Sequence, residues 1–285
     1  MGLTEGRFGT LLGATILCEE LDRIVAAYDD ALGYRVAATG HVGAERASAW
    51  RAPAAHECQM ATLHPESGGP RFVRFVECSG AASPSQHATT GWNAVELIVQ
   101  DLDRLADRLA ARSDFSIIGA PAVLDFDFTD KIRAMQVVGP AGELIYFTMV
   151  DGEVPGFDLP VARCSVDAPF VAILGTRDID VSAAWYSRMT GNDAASFDAP
   201  VGVISNAHAL PPTYRHRLAT LSLPTATLIE IDALPLATTA DRGFSGCGLP
   251  RGIAIVTLAG RHGDASVAVG TDGELIELAL HADPS

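Results

Sequence analysis

The chain has 285 residues, 48% hydrophobic and 19% charged, enough apolar mass for complete cores, and its length suggests two domains at roughly 100–200 residues each. A net charge of −15 with no local basic patch argues against a nucleic-acid partner. No apolar run approaches the ~20 residues of a membrane span, so no membrane partner is expected.

The first seven residues lack a basic region followed by an apolar one, so no secretion signal is read and a cytoplasmic location is expected. Five cysteines, Cys18, Cys58, Cys78, Cys164 and Cys247, are scattered with no CxxC spacing. They read as free thiols in a reducing compartment, each most simply a small buried hydrophobe.

In chain order, residues 12–18 read as an apolar strand. The following helix places Leu21, Ile24, Val25, Tyr28 and Leu32 on one stripe, and Gly33 stops it. Runs 46–51, 58–64 and 71–78 read as three strands, with Ser67-Gly68-Gly69-Pro70 as a turn. The pattern then repeats as strand 93–99, helix 101–112 with Leu102, Leu105 and Leu109 inward, and strands near 121–126, 132–138 and 143–149. A third unit gives strand 170–175, helix 178–190 and strands near 199–205, 214–222 and 226–232. A fourth opens at 252–258 and closes with strands 265–269 and 274–280.

Repeated words support duplication. Gly142-Glu143-Leu144-Ile145 recurs as Gly273-Glu274-Leu275-Ile276, and Ala26-Ala27-Tyr28 with Gly33 recurs as Ala184-Trp185-Tyr186 with Gly191. Leu21-Asp22-Arg23 recurs as Leu102-Asp103-Arg104. Residues 151–167, opening on a stretch with two glycines and two prolines, read as a linker between domains 1–150 and 168–285. The tyrosines lie 158 residues apart but the Gly-Glu-Leu-Ile words only 131. The missing length falls in the fourth unit, where 259–264 is too short for a crossover helix of about a dozen residues. Ile276 and Leu278 would then lack cover, and a homodimer burying them is expected.

An α+β chain of tandem βαβββ modules, two per cupped mixed-sheet domain, resembles the vicinal oxygen chelate superfamily of glyoxalases, bleomycin-resistance proteins and extradiol dioxygenases. The segment Leu21–Tyr34 is similar to that family's first helix, and Gly139–Ile145 and Gly270–Leu278 are similar to the turn into its last strand. The resemblance implies a cup with metal ligands, His or Gln on first strands and Glu on last strands. Carried over, the first-strand positions fall on Gly13, Ala94, Val171 and Ile253, and the last-strand positions on Arg74, Tyr146, Glu230 and Glu277. With no imidazole and only two carboxylates, neither cup is expected to hold a metal, and no cofactor is expected.

Alternation along strands puts Arg74, Phe72, Thr15, Glu96, Ile98, Tyr146 and Thr148 in an N-terminal cup. There Arg74 would hold a carboxylate or enolate, Glu96 would move a proton and Tyr146 would polarise a carbonyl. The plainer alternative is an Arg74–Glu96 ion pair. In the C-terminal half Leu228, Glu230 and Asp232 share a face, and Glu230 and Glu277 would face one another as acid and base. The alternative is a decayed ligand pair. His208 and His216 flank Pro211-Pro212 at a cup mouth, as a site or as surface polarity. His56, Cys58 and His64 are too spread along a strand for a metal.

The expected activity is metal-independent proton transfer, as an isomerase, lyase or cyclase, on a small apolar or aromatic carbonyl compound. The alternatives are a non-catalytic small-molecule binding protein of the bleomycin-resistance type, and a metal-dependent glyoxalase or extradiol dioxygenase.

Overall fold

The computed structural model describes residues 6–124, 126–261 and 266–280. The start of the chain, read above for a leader, and His262 to Asp264 of the short connection lie outside the described residues.

The first module comprises β1 (Phe8–Cys18), α1 (Leu21–Leu32), β2 (Arg35–His41), α2 (Ala44–Ala49), β3 (Gln59–His64) and β4 (Phe72–Glu77). The second comprises β5 (Gly91–Val99), α3 (Leu102–Ala110), β6 (Ser116–Val123), β7 (Ile132–Val138) and β8 (Leu144–Val150). The third comprises β9 (Val166–Thr176), α4 (Ile179–Thr190), β10 (Ala195–Pro200), α5 (Gly202–Ala207), β11 (Arg215–Leu223) and β12 (Thr227–Ala233). The fourth comprises β13 (Ile253–Gly260), β14 (Ser266–Val269) and β15 (Leu275–Ala279), with the short connection where the other modules carry a long helix. No described helix is long and apolar enough to cross a membrane.

Local chemistry explains the three long helices. The stripe of α1 buries Leu21, Ile24, Tyr28 and Leu32, and Gly33, at φ 72°, takes the left-handed conformation that ends it. Asp101 and Asp178 accept from the Arg104 and Val181 amides at 2.9 and 3.1 Å, capping α3 and α4. Two expected strands are corrected. Residues 46–51 are largely α2, rich in alanine, and 199–205 divide between β10 and α5. The exposed strand β2 was not expected, because all of its residues face solvent and no alternation marks it.

The strands form two curled sheets of seven and eight strands, ordered β14-β15-β13-β1-β4-β3-β2 and β10-β11-β12-β9-β5-β8-β7-β6. Within each module the first strand pairs in parallel with the last, as Thr15 with Arg74 and Glu96 with Tyr146. The free edge of each first strand pairs antiparallel with another first strand, β1 with β13 and β5 with β9. The first module therefore shares a sheet with the fourth, and the second with the third. The cups expected within each half of the chain are instead built across the halves. Periodicity reports which face of a strand is apolar; it carries no record of which distant edge completes its ladder.

One face of each sheet joins the helices in a shared core, with Ala14 and Ile16 from β1 and Val95, Leu97 and Val99 from β5. The repeated words meet there. Tyr28 Oη donates to Glu143 Oε1 at 2.6 Å, and Tyr186 Oη to Glu274 Oε1 at 2.6 Å. Each odd module's helix is thereby tied to the last turn of the next module. The same tie removes the ground for the expected dimer. Ile276 and Leu278 are 0% and 2% exposed within one chain, in the core that α4 borders. They need no second copy to cover them.

Candidate active site

The other faces of the two sheets form two unlike cups. In the seven-stranded sheet, Arg74 is buried on β4 and donates to Thr15 Oγ1 at 2.9 Å and to Glu277 Oε2 at 2.6 Å. Glu277 also accepts from Thr257 Oγ1 at 2.9 Å and Trp50 Nε1 at 3.0 Å. Burial alone would raise the Glu277 pKa, but the Arg74 charge and these donors hold it below the ordinary carboxylate range. The cup is filled by Leu17, Val42, Trp50, Val76, Leu249 and Ile255, all buried, with Trp50 under the Arg74 guanidinium at 5.1 Å.

The eight-stranded sheet keeps a cleft of about 470 Å³, counting its open mouth. Its floor carries Glu96 on β5, Thr148 on β8, Val171 on β9, Leu228 and Glu230 on β12 and Thr220 on β11. Its walls are Phe126, Phe128, Phe157, Phe170 and Phe197 with Leu124, Ile132 and Leu159. Phe126 and Phe128 stack at 5.1 Å, and Phe197 meets Phe126 edge-on at 5.4 Å. Among the described residues, no arginine, lysine or histidine lines this cleft.

Strands β5 and β12 are separated by β9, so their backbones lie about 10 Å apart at ~4.8 Å per strand. Two long glutamates from these strands converge over the middle one. Glu96 is 8% exposed, and its one hydrogen-bond donor is Thr148 Oγ1 at 2.9 Å. Burial, then repulsion from Glu230, pushes its pKa up to about 8. Glu230 is pushed up to about 7 by burial, moderated by a hydrogen bond with Asp232. Burial and the Glu230 charge raise Asp232 in turn, so Asp232 keeps the proton that this pair shares.

Beside this floor lies a group of histidines. His87 is fully buried in a left-handed conformation at φ 54°. Its Nε2 lies 2.8 Å from Tyr146 Oη, and its Nδ1 lies 3.8 Å from Asp232 Oδ2 without a hydrogen-bond partner. Burial lowers its pKa to about 3, so the ring is neutral. His208 Nε2 lies 2.9 Å from the His87 carbonyl oxygen, and His216 Nε2 2.9 Å from Ser205 Oγ. Both are buried, and neither lines the cleft as a mouth residue would.

The expected groupings are therefore redistributed. Glu96, Tyr146 and Thr148 stand on one sheet, with Ile98 buried beside them, while Arg74, Thr15 and Phe72 stand on the other. Arg74 neutralises Glu277 instead of Glu96, and Glu230 faces Glu96 instead of Glu277. The i, i+2 relation of Leu228, Glu230 and Asp232 holds, and brings Asp232 into the site with them. The walls were missed, although the alternation in Phe126-Asp127-Phe128 is a local signal for part of them, and His87 was missed because it lies in the irregular connection between β4 and β5.

The register also corrects the ligand positions implied by the family resemblance. The residues across from Arg74, Tyr146, Glu230 and Glu277 are Thr15, Glu96, Ile173 and Thr257, further along their strands than Gly13, Ala94, Val171 and Ile253. In the seven-stranded cup a guanidinium occupies the place a cation would take. In the other, the four positions are Glu96, Tyr146, Ile173 and Glu230, two carboxyls whose pKa values favour the protonated form and no imidazole. Among the described residues no three His, Cys, Asp or Glu side chains are disposed to hold a metal ion. The donor set does not fit the family's metal.

Solved structures match this architecture along nearly its whole length. Glyoxalase I from Zea mays superposes with a TM-score of 0.62 at 14% identity, covering 95% of this chain and 92% of the other. A putative dioxygenase from Bacillus subtilis subsp. subtilis str. 168 gives 0.62 at 11% identity, covering 98% and 86%. The chain has the vicinal oxygen chelate fold. No family model matches the sequence, and no curated protein does. At these identities the likeness speaks for the fold alone, and the chemistry of the chain rests on its own residues.

Proposed function

We propose that the cleft of the eight-stranded sheet catalyses metal-independent proton transfer on a small, uncharged, apolar or aromatic carbonyl compound. The observation that carries this reading is the pair Glu96 and Glu230, buried in one phenylalanine-walled cleft without a cation, with pKa values raised to about 8 and 7. Two carboxyls whose surroundings hold their pKa values near neutrality suit general acid and base work. Protonated Glu96 donates to the carbonyl oxygen, and the ionised fraction of Glu230 takes the proton from the adjacent carbon, giving an enol. Asp232, hydrogen-bonded to Glu230, holds the next proton. Return of a proton to a different carbon, or loss of a leaving group, completes an isomerisation or an elimination. The apolar walls exclude water and reject anionic substrates.

The phenylalanine cluster also supports a second reading, a binding protein that sequesters an aromatic compound without turning it over. One experiment separates the two. With phenylacetone in D₂O, wild-type protein is expected to exchange the protons beside the carbonyl, followed by NMR, with EDTA having no effect. Glu96→Gln should slow exchange by about 100-fold or more while the Kd stays within about threefold. Binding with no exchange in the wild type would favour sequestration. A requirement for a divalent metal would overturn the proposed mechanism.

A further inference from the structure

Away from the cleft, three of the five cysteines gather beside the filled cup. Cys78 follows β4, Cys247 lies in the connection between β12 and β13, and Cys58 precedes β3. Cys78 and Cys247 are 8% and 3% exposed and belong to one buried cluster, with Cys58 packed against it. The backbone sets their approach. The Gly246 amide donates to the Ser79 carbonyl at 2.8 Å, which places the residues flanking that bond, Cys247 and Cys78, side by side. The Cys78 and Cys247 thiols are close enough to perturb one another's ionisation, and Cys58 is perturbed by Cys247 as well.

The turn holding Cys247 is built. Ser245 N–H donates to the Leu249 carbonyl at 2.9 Å, and Gly248 N–H donates back to the Ser245 carbonyl at 3.0 Å, with Gly248 at φ 82°. Ser245 Oγ lies 3.2 Å from Cys247 Sγ. A close approach at Gly246 has no room for a side chain, since a Cβ there would stand 2.4 Å from Ser79 Oγ. Glycine is what lets this turn press against the end of β4.

We infer that Cys78 and Cys247 form a redox-active dithiol, oxidised to a disulfide by hydroperoxides. The cleft chemistry assigns no role to these thiols, and the inference stands apart from that reading. Cys247 is the attacking sulfur. The Cys78 S–H, then the Ser245 hydroxyl and the Leu249 and Cys247 amides, favour its thiolate and lower its pKa against the opposing effect of burial. The neighbouring Cys247, and then burial, raise Cys78, which keeps its proton. The Cys247 thiolate attacks a hydroperoxide oxygen. An S–O bond forms, the O–O bond breaks, and the departing alkoxide takes a proton to leave as an alcohol. Cys78 then attacks the Cys247 sulfenic sulfur. The S–S bond forms, the S–O bond breaks, and water leaves with the Cys78 proton. Two thiols and one hydroperoxide give one disulfide, one alcohol and one water. The product ties the end of β4 to the segment that fills the seven-stranded cup.

The test uses the reduced full-length chain with a modest excess of tert-butyl hydroperoxide. Intact mass should fall by about 2 Da, the two hydrogens lost per disulfide, and non-reducing peptide mapping should join the Cys78 and Cys247 peptides. Cys247→Ser should abolish the loss, whereas Cys18→Ser and Cys164→Ser should leave it unchanged. Should Cys247→Ser fail to fold, alkylation of the folded wild type by iodoacetamide decides, with Cys247 expected to react at the lowest pH of the five. No mass loss, a stable gain of oxygen at Cys247, or a link from Cys247 to Cys58 would each overturn the assignment.

Discussion

The two cups share one construction and carry opposite electrostatics. At equivalent register positions the seven-stranded sheet has Thr15, Arg74, Thr257 and Glu277, and the eight-stranded sheet has Glu96, Tyr146, Ile173 and Glu230. In the first, the carboxylate has a buried guanidinium at 2.6 Å that lies over Trp50, and apolar side chains pack around the pair. In the second, the carboxyls have no cation, their pKa values are driven up, and the space above them stays open. The contrast teaches that the fold supplies a cup, and that the presence or absence of one buried arginine separates a structural ion pair from a reactive pair of acids.

The largest expected effect comes from breaking the filled cup. Arg74→Ala leaves Glu277 buried without its cation, and removing one member of a buried pair costs about 3–5 kcal/mol. Urea unfolding should read this as a lower midpoint with an unchanged slope. The apolar pair Arg74→Met with Glu277→Leu should recover most of the loss, because Trp50 and Val76 already provide apolar neighbours. Neither variant should alter ligand affinity in the other cup. A change in affinity of tenfold or more would show that the two cups are not independent.

How far the sequence carries a reader follows from what periodicity can encode. The apolar stripe of α1, the alternation of Leu228, Glu230 and Asp232, and the repeated Tyr and Glu words are short-range signals, and each appears in the structure. Glu96 stands out as an acid in an apolar strand, and it is buried as its neighbours imply. Its partner was not legible. Whether Glu96 meets Arg74 or Glu230 depends on which first strands share an edge, a pairing between residues 67 to 84 apart that no local pattern records. Helix α2 was read as a strand because six residues are too few for the helical period to show. His87 was invisible for another reason, since its left-handed backbone and buried ring are set by three separate elements.

A smaller effect sharpens the contrast through pH. Glu96 has a folded pKa near 8 against an ordinary 4.5, so between those values the unfolded chain has lost a proton that the folded chain retains. Stability contributed by this group therefore falls as pH rises through that window, at up to about 1.36 kcal/mol per pH unit. Glu277 has a lowered pKa, so its contribution is present above the ordinary carboxylate range and is lost as pH falls through its folded value. Glu96→Gln should flatten the decline between about pH 5 and 8, leaving the variant about 1–3 kcal/mol more stable than wild type at pH 8.5 once coupling to Glu230 and Asp232 is allowed for. Glu277→Gln should instead remove acid-side loss while lowering stability at neutral pH. Unfolding curves from pH 5 to 8.5 that stay parallel for wild type and Glu96→Gln would mean that Glu96 is ionised in the folded chain.

The smallest expected effect concerns the histidine that supports the open cup. His87 Nε2 and Tyr146 Oη lie 2.8 Å apart with both groups buried, and burial keeps the ring neutral. The pair therefore fixes the tyrosine beside Glu96. His87→Asn suits the left-handed backbone, since asparagine tolerates positive φ, but it is too short to replace the ring. It should cost about 1–2 kcal/mol, the penalty of leaving a buried hydroxyl unpaired. Tyr146→Phe should cost a similar amount by leaving His87 Nε2 unpaired. The double variant should cost less than the two together, by about 1 kcal/mol, because the second change removes the orphan made by the first. Losses that add fully in urea unfolding would mean that His87 and Tyr146 do not hold one another, and that the floor of the open cup is positioned by the sheet alone.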